Sequence, residues 1–292
     1  MPRLTDLNDI MFPVEEHPVF VAMSTDSGER TLPVHGKKAL VNTKSGRVLS
    51  VVSRDYRLVS NRMALDWAYQ CCCLAFPETK PGEWQVTASD APFSGSYCNI
   101  DLTHNTTALD FSLVSPQNRP EAFGPFVRVT NSYNGLRALT FDIGLYRKVC
   151  RNGMILRDNV IRFKYAHLSS EIGKEINFAI DHPRLAKVKT DFYDYMNVLR
   201  NCAVPRAYFL PLLQGVLCIR PPQNISDDHR IANAWKSLSS HLGDTCYRYV
   251  QELGENAYAA FNAITDFASH PPDNRCVYRD RHSYQRLAGA WL

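Results

Sequence analysis

Tyr133, Arg137, Tyr146, Arg147, Lys148 and Arg151 fall within one stretch, Asn131–Gly153, reading NSYNGLRALTFDIGLYRKVCRNG. Guanidinium and ammonium groups track phosphates while aromatic rings stack on bases, so this set suits single-stranded nucleic acid. From Arg128 to Lys164 eight Arg and Lys face two acids, Asp142 and Asp158, a local balance of +6 against +4 for the whole chain. The remainder is therefore slightly acidic, which marks this stretch as the place where a polyanion would meet the protein. The competing reading is that Arg137, Arg147 and Arg151 solvate a sheet edge and that the tyrosines are half-buried anchors. No catalytic signature accompanies the cluster, because GxxxxGK[ST], GxGxxG, GxSxG and HExxH are all absent. The expectation is a non-enzymatic binder without metal or cofactor. A metal-dependent nuclease would need clustered carboxylates that the sequence does not assemble.

Other constellations have simpler structural readings. Asn262, Thr265, Asp266 and His270 share one helix side, but His270 precedes Pro271-Pro272, where a histidine caps the last helical carbonyls. Asp227-Asp228-His229 follows Ser226 at a predicted helix start, where acids cap and complement the dipole. Arg275, Arg279, Arg281, His282 and Arg286, interleaved with Tyr278 and Tyr284, form a second cation-aromatic stretch whose spacing also fits a solvated C-terminal helix. Nine cysteines, an odd number without a CxxC pair, point to reduced thiols in a cytoplasm. Cys71, Cys72 and Cys73 read as small apolar packing on a helix.

The elements that must position these residues follow from periodicity and turn chemistry. A hydrophobic content of 45% in 292 residues is that of a folded chain, and no apolar run approaches the length of a membrane helix. Residues 1–36 carry Pro13, Pro18 and Pro33 and read as an irregular arm with one short strand around Val19 to Met23. Residues 37–166 read as a β-rich domain: a hairpin of Lys38 to Asn42 with Arg47 to Arg54, a helix capped by Ser60 or Asn61 and running to Phe76, then antiparallel strands. Asn134-Gly135 predicts a type I′ turn joining 126–133 to 136–143, with one hairpin face, containing Arg128, Thr130 and Asp142, wet and partly cationic. Arg147, Lys148 and Arg151 would share a helical turn, and 154–156 with 160–165 would close a further hairpin. Residues 167–292 read as helical, with helices at 183–200, 206–218, 227–242 and 245–269. The fold class is α+β: an N-terminal antiparallel sheet with a packed helix, then a mainly helical half.

The pattern N-S-Y-N-G-x-x-A-L-x-F-x-x-G-x-Y-R-x-V-C-x-N-G-M resembles the central signature of the phage and plasmid-like family known as domain of unknown function 932. Arg47 to Trp67 resembles its hairpin-then-helix segment, with V-x-x-x-Y-x-x-V-x-N at Val52, Tyr56, Val59 and Asn61, and Asn256 to His270 resembles its N-A-x-T-x-x-x-x-H helix. The resemblance implies residence on phages, plasmids or integrated elements and a cytoplasmic role in replication, recombination or defence conflict. It supplies no activity. A remoter similarity of architecture and charge is to phage single-strand annealing proteins, which work as rings or filaments. The expected partner is thus DNA, preferentially single-stranded, together with further copies of the chain in a homo-oligomer. The alternative is a protein-interaction component whose docking surface is Tyr193, Tyr195, Tyr208 and Phe209.

Overall fold

The chain enters through β1 (Arg3–Leu4) and a single helical turn, α1 (Leu7–Ile10), whose start is capped by Asp6 accepting from Asn8 N at 2.8 Å. The computed structural model describes residues 3–4, 6–25, 28–104, 111–114, 120–147, 152–154, 161–168, 172, 176–223 and 228–291. Next come β2 (Val14–Thr25) and β3 (Gly28–Asn42), paired antiparallel from Val14↔Asn42 to Thr25↔Gly28. The expected irregular arm is therefore a long ribbon. Its prolines misled the reading because a strand with an open edge tolerates proline: Pro18 lies on the outer strand, Pro33 lies beyond the reach of the third strand, and the register shifts beside Pro18. The far half, from Phe20 and Pro33 to the tip, lies beyond the reach of the third strand, β4 (Arg47–Ser53), which pairs with β3 over residues 37–42.

Ser60 starts α2 (Asn61–Ala75), its side chain accepting from Met63 N at 3.1 Å. Ala64, Ala68, Cys71, Cys72 and Ala75 recur at three- and four-residue spacing and are all buried, so the thiols at 71 and 72 serve as core packing. Burial pushes the Cys71 thiol up to about 12. A second sheet follows, built from β5 (Trp84–Ala91), β6 (Tyr97–His104), β7 (Phe111–Val114), β8 (Pro120–Ser132), β9 (Leu139–Arg147), β10 (Asn152–Met154) and β11 (Ile161–Tyr165). Its order is β1-β5-β6-β8-β9-β10, with β7 on β8 and β11 on β9, all antiparallel. Of the expected hairpin of 154–156 with 160–165, residues 155–160 lie outside the described residues, and the described strands β10 and β11 both pair with β9, one after the other.

The remaining elements are α3 (His182–Asn201), α4 (Phe209–Val216), α5 (His229–Leu253), α6 (Ala257–Ser269) and α7 (Arg281–Trp291). The chain is thus α+β, with the antiparallel sheets first and the helices after. The break between α5 and α6 falls at Gly254, whose φ of +86° suits glycine, rather than near residue 243. One hydrophobic core joins α2, the apolar face of the larger sheet (Ile100, Leu102, Val127, Val129, Phe141) and α3 to α7. A smaller cluster, Leu40, Val52, Tyr56 and Tyr133, lies against the three-stranded sheet. No helix among the described residues is long and apolar enough to cross a membrane.

Candidate nucleic-acid interface

Four of the six residues singled out in the sequence lie among the described residues, and they do not form one surface. Lys148 and Arg151 lie outside the described residues. Tyr133 is fully buried, so its ring cannot stack on a base; its hydroxyl accepts from Asn61 N at 2.9 Å, and burial pushes its pKa up. Arg147 ends β9 as a strand residue rather than starting a helical turn, and its buried Nη2 donates to Glu252 Oε1 of α5 at 2.8 Å. Tyr146 is half-buried and packs against Phe126. Arg137 keeps partial exposure, with its guanidinium 3.7 Å above the Tyr97 ring and Nη2 donating to Asp280 Oδ2 at 3.1 Å. The anchor reading of the tyrosines fits the half-buried Tyr146 and the fully buried Tyr133, whereas Arg147 does not solvate a sheet edge, being buried against Glu252.

The motif works instead as a joint. Asn131 Nδ2 donates to Val59 O at 2.9 Å and to Asn61 Oδ1 at 2.8 Å, and Asn61 Nδ2 donates to Ile10 O at 2.7 Å. Tyr56 OH donates to Ser132 O at 2.5 Å, and Ser50 Oγ donates to Tyr133 O. These bonds tie α1, β4 and the start of α2 to the end of β8. The turn that follows is wider than type I′: Gly135 has φ +70°, Asn134 has no positive φ, and the pairing closes at Thr130↔Thr140. Asn134 Oδ1 accepts from Leu136 N at 3.0 Å and from Ser132 Oγ at 2.7 Å, so a side chain supplies the turn that the backbone was expected to make.

The face expected to be wet is covered by α7. Arg128 donates from Nε and Nη2 to both Asp101 oxygens, at 2.5 and 2.7 Å, and from Nη1 to Gln285 Oε1. Arg281, read as part of a solvated helix, is buried; it donates to Asp90 Oδ1 at 2.9 and 2.7 Å and to Asp101 Oδ2 at 2.8 Å. Asn99 links Asp90 to Thr130, and Gln285 Nε2 reaches Ser269 Oγ at 3.0 Å. Burial alone would push the Asp101 carboxyl up, but the Arg128 and Arg281 guanidinium groups outweigh it and hold it at about 2. His282 lies beside this seam with Nδ1 buried and unpartnered; burial first, then the Arg128 charge, pulls its pKa down to about 3.

Exposed cation and aromatic groups do meet at one end of the larger sheet. The β5–β6 loop is closed by Gly95 N donating to Pro92 O at 2.8 Å, and it touches the motif loop through Tyr133 N donating to Ser96 O at 2.7 Å. At its tip Phe93 is 88% exposed. From the start of β4 Arg47 places its guanidinium 4.9 Å from the Phe93 ring centroid, and its Nη1 donates to Phe93 O at 2.9 Å. Leu136, 83% exposed, and Arg137 stand on the neighbouring motif loop. Beneath Phe93 opens a cleft of about 560 Å³, lined among others by Asp9, Phe12, Asn42, Arg47 and Ser94. Gly95, at φ +68°, is required here, because a Cβ would stand 3.0 Å from Phe12 Cζ. Sequence reasoning missed Phe93 and Arg47. The available signal was a phenylalanine inside Pro92-Phe-Ser-Gly95, a turn segment with no apolar periodicity to bury it.

The smaller constellations follow local rules. Asp228 caps α5, accepting from Arg230 N at 2.7 Å, and His270 stands at the C-cap of α6, its N–H bonded to Asp266 O and its Nδ1 3.2 Å from Asp266 Oδ1. Of the four aromatics offered as a docking surface, Tyr193 and Tyr208 are exposed, Tyr195 is half-buried and Phe209 is buried.

The sequence model of the family described as Domain of unknown function (DUF932) matches residues 111–291, more than half of the chain, and the chain belongs to that family. No curated protein and no solved structure matches it.

Proposed function

We propose that this member of the domain of unknown function 932 family is a non-enzymatic, sequence-tolerant binder of single-stranded nucleic acid, in the mobile-element replication or recombination that the family resemblance implied. The surface is the loop end of the larger sheet. What carries the reading is Phe93, exposed and held under the Arg47 guanidinium: a base has an open aromatic face to stack on, and its phosphate has a cation beside that face. Arg137 supports it from the adjacent loop. Duplex bases are already stacked, so a platform of this kind favours unpaired strands.

Fluorescence anisotropy with a labelled oligothymidylate tests the reading. Phe93→Ala is expected to weaken binding about tenfold, within the range for loss of one stacked base. Arg47→Ala is expected to weaken it similarly and to lower the slope of log affinity on log salt by roughly 0.7. Both positions are exposed, so the melting temperature should not change. Absence of binding at about 50 mM salt, where phosphate contacts are strongest, refutes the proposal.

A second reading is docking of a protein partner, supported by the exposure of Tyr193 and Tyr208 and of Phe20, Val21, Met23 and Leu32 on the ribbon. A stoichiometric protein that stays bound after nuclease treatment, and that Arg47→Ala does not release, would favour it.

A further inference from the structure

The cleft under Phe93 combines groups that stacking alone does not need. Its walls are apolar, from Ile10, Phe12, Ala91 and Pro92, and its volume of about 560 Å³ is that of a site for a small planar ligand. Its lining includes two charged residues, Arg47 and Asp9, the latter exposed in the first turn of α1. A phosphate belongs at Arg47. The carboxylate repels phosphate and accepts hydrogen bonds only, so what reaches Asp9 must be a donor edge.

We infer that this cleft is a nucleobase pocket selective for guanine, an inference that rests on the proposed strand-binding role of the same site. On its Watson–Crick edge guanine presents two neighbouring donors, N1–H and the N2 amino group, which a carboxylate accepts with both oxygens. Adenine and cytosine each set their amino donor beside a ring-nitrogen acceptor, and thymine flanks its one N–H with two carbonyl oxygens. These three bases turn a lone pair toward Asp9. Guanine, whose O6 lies beyond N1–H on the same edge, alone meets both carboxylate oxygens with donors. Phe12, with Gly95 against its ring edge, walls the pocket from below. Phe93 and Arg47 line it too, so a base that enters from an unpaired strand brings its phosphate near the Arg47 guanidinium.

The experiment compares an oligothymidylate with the same strand carrying a single central guanine, by competition against the labelled oligothymidylate. The guanine strand is expected to compete roughly fivefold better, the low end for a two-bond contact to a base edge. Asp9→Asn, which replaces one acceptor by a donor and removes a charge that repels phosphate, should abolish that preference without weakening oligothymidylate binding. Equal competition by the two strands overturns this inference while leaving the strand-binding role standing. A guanine preference that survives in Asp9→Asn overturns the assignment to Asp9. If the wild-type chain binds neither strand, the strand-binding role and the pocket fall together.

Discussion

Arginine serves opposite ends at the two faces of this molecule. Under α7, Arg128 and Arg281 are buried, each held by three hydrogen bonds to Asp90, Asp101 or Gln285. At the loop end, Arg47 is exposed, with one hydrogen bond to a carbonyl and an aromatic ring in front of it. In the buried seam each charge is matched, two aspartates against two arginines, and nothing is left over to meet a ligand. At the loop end the guanidinium is incompletely used, which is the condition for recognising something else. Local charge density does not separate the two, since Arg128 and Arg147 belong to the most cationic stretch of the chain and are the most deeply committed.

The comparison is broken most forcefully by removing one partner of the seam. Arg281→Ala leaves Asp90 and Asp101 buried with half their compensation, and the expected loss is about 3 to 5 kcal/mol in urea unfolding. A loss below about 1 kcal/mol, the scale of exposed ion pairs, would show that water reaches the seam and that the two faces do not differ. Acid probes the same region. The folded His282 resists protonation down to about 3 while the unfolded ring takes a proton near its ordinary 6.5, so stability is fully present above pH 6.5 and is lost as pH falls toward 3. Asp101 adds a second loss as pH falls from 3.8 through about 2. Melting temperature should therefore drop between pH 6.5 and 3, and His282→Leu should flatten that part of the profile. An unchanged profile in His282→Leu would place the acid sensitivity elsewhere.

Smaller effects sharpen the contrast at the joint. Asn131→Ala removes donors to Val59 O and Asn61 Oδ1 and should cost about 1 to 3 kcal/mol, the range for orphaning buried acceptors. Tyr133→Phe should cost only about 1 kcal/mol, one neutral hydrogen bond, and should leave oligonucleotide affinity untouched. Were Tyr133→Phe to weaken binding as much as Phe93→Ala, the signature would be a binding surface after all.

What could be read from the sequence were features whose causes are local. Ser60 before a helical apolar pattern fixes α2, Thr43-Lys44-Ser45-Gly46 between two apolar runs fixes the β3–β4 hairpin, and Asn256 and Asp228 cap their helices as their types require. The alternation on β8 and β9 was legible too, with Val127, Val129, Phe141 and Ile143 on one face. Whether the other face met water was not, because Arg281 lies 191 positions from Asp90 and Gln285 lies 157 from Arg128. A polar alternate face and a buried ion-pair seam have the same sequence until the distant helix is placed. The motif cations misled for the same reason, since Glu252 and Asp280 come from α5 and the start of α7.

That separation along the chain has a consequence for biosynthesis. Asp90, Asp101 and Arg128 leave the ribosome while the residues that complete them are still unmade, and until Arg281 emerges the nascent sheet holds two carboxylates against one guanidinium on the face it must bury. The sheet can therefore collapse on its apolar side around α2 early, but its second side has to stay hydrated until Arg281 has been made. A product stopped short of residue 281 would carry two carboxylates against one guanidinium on that sheet face.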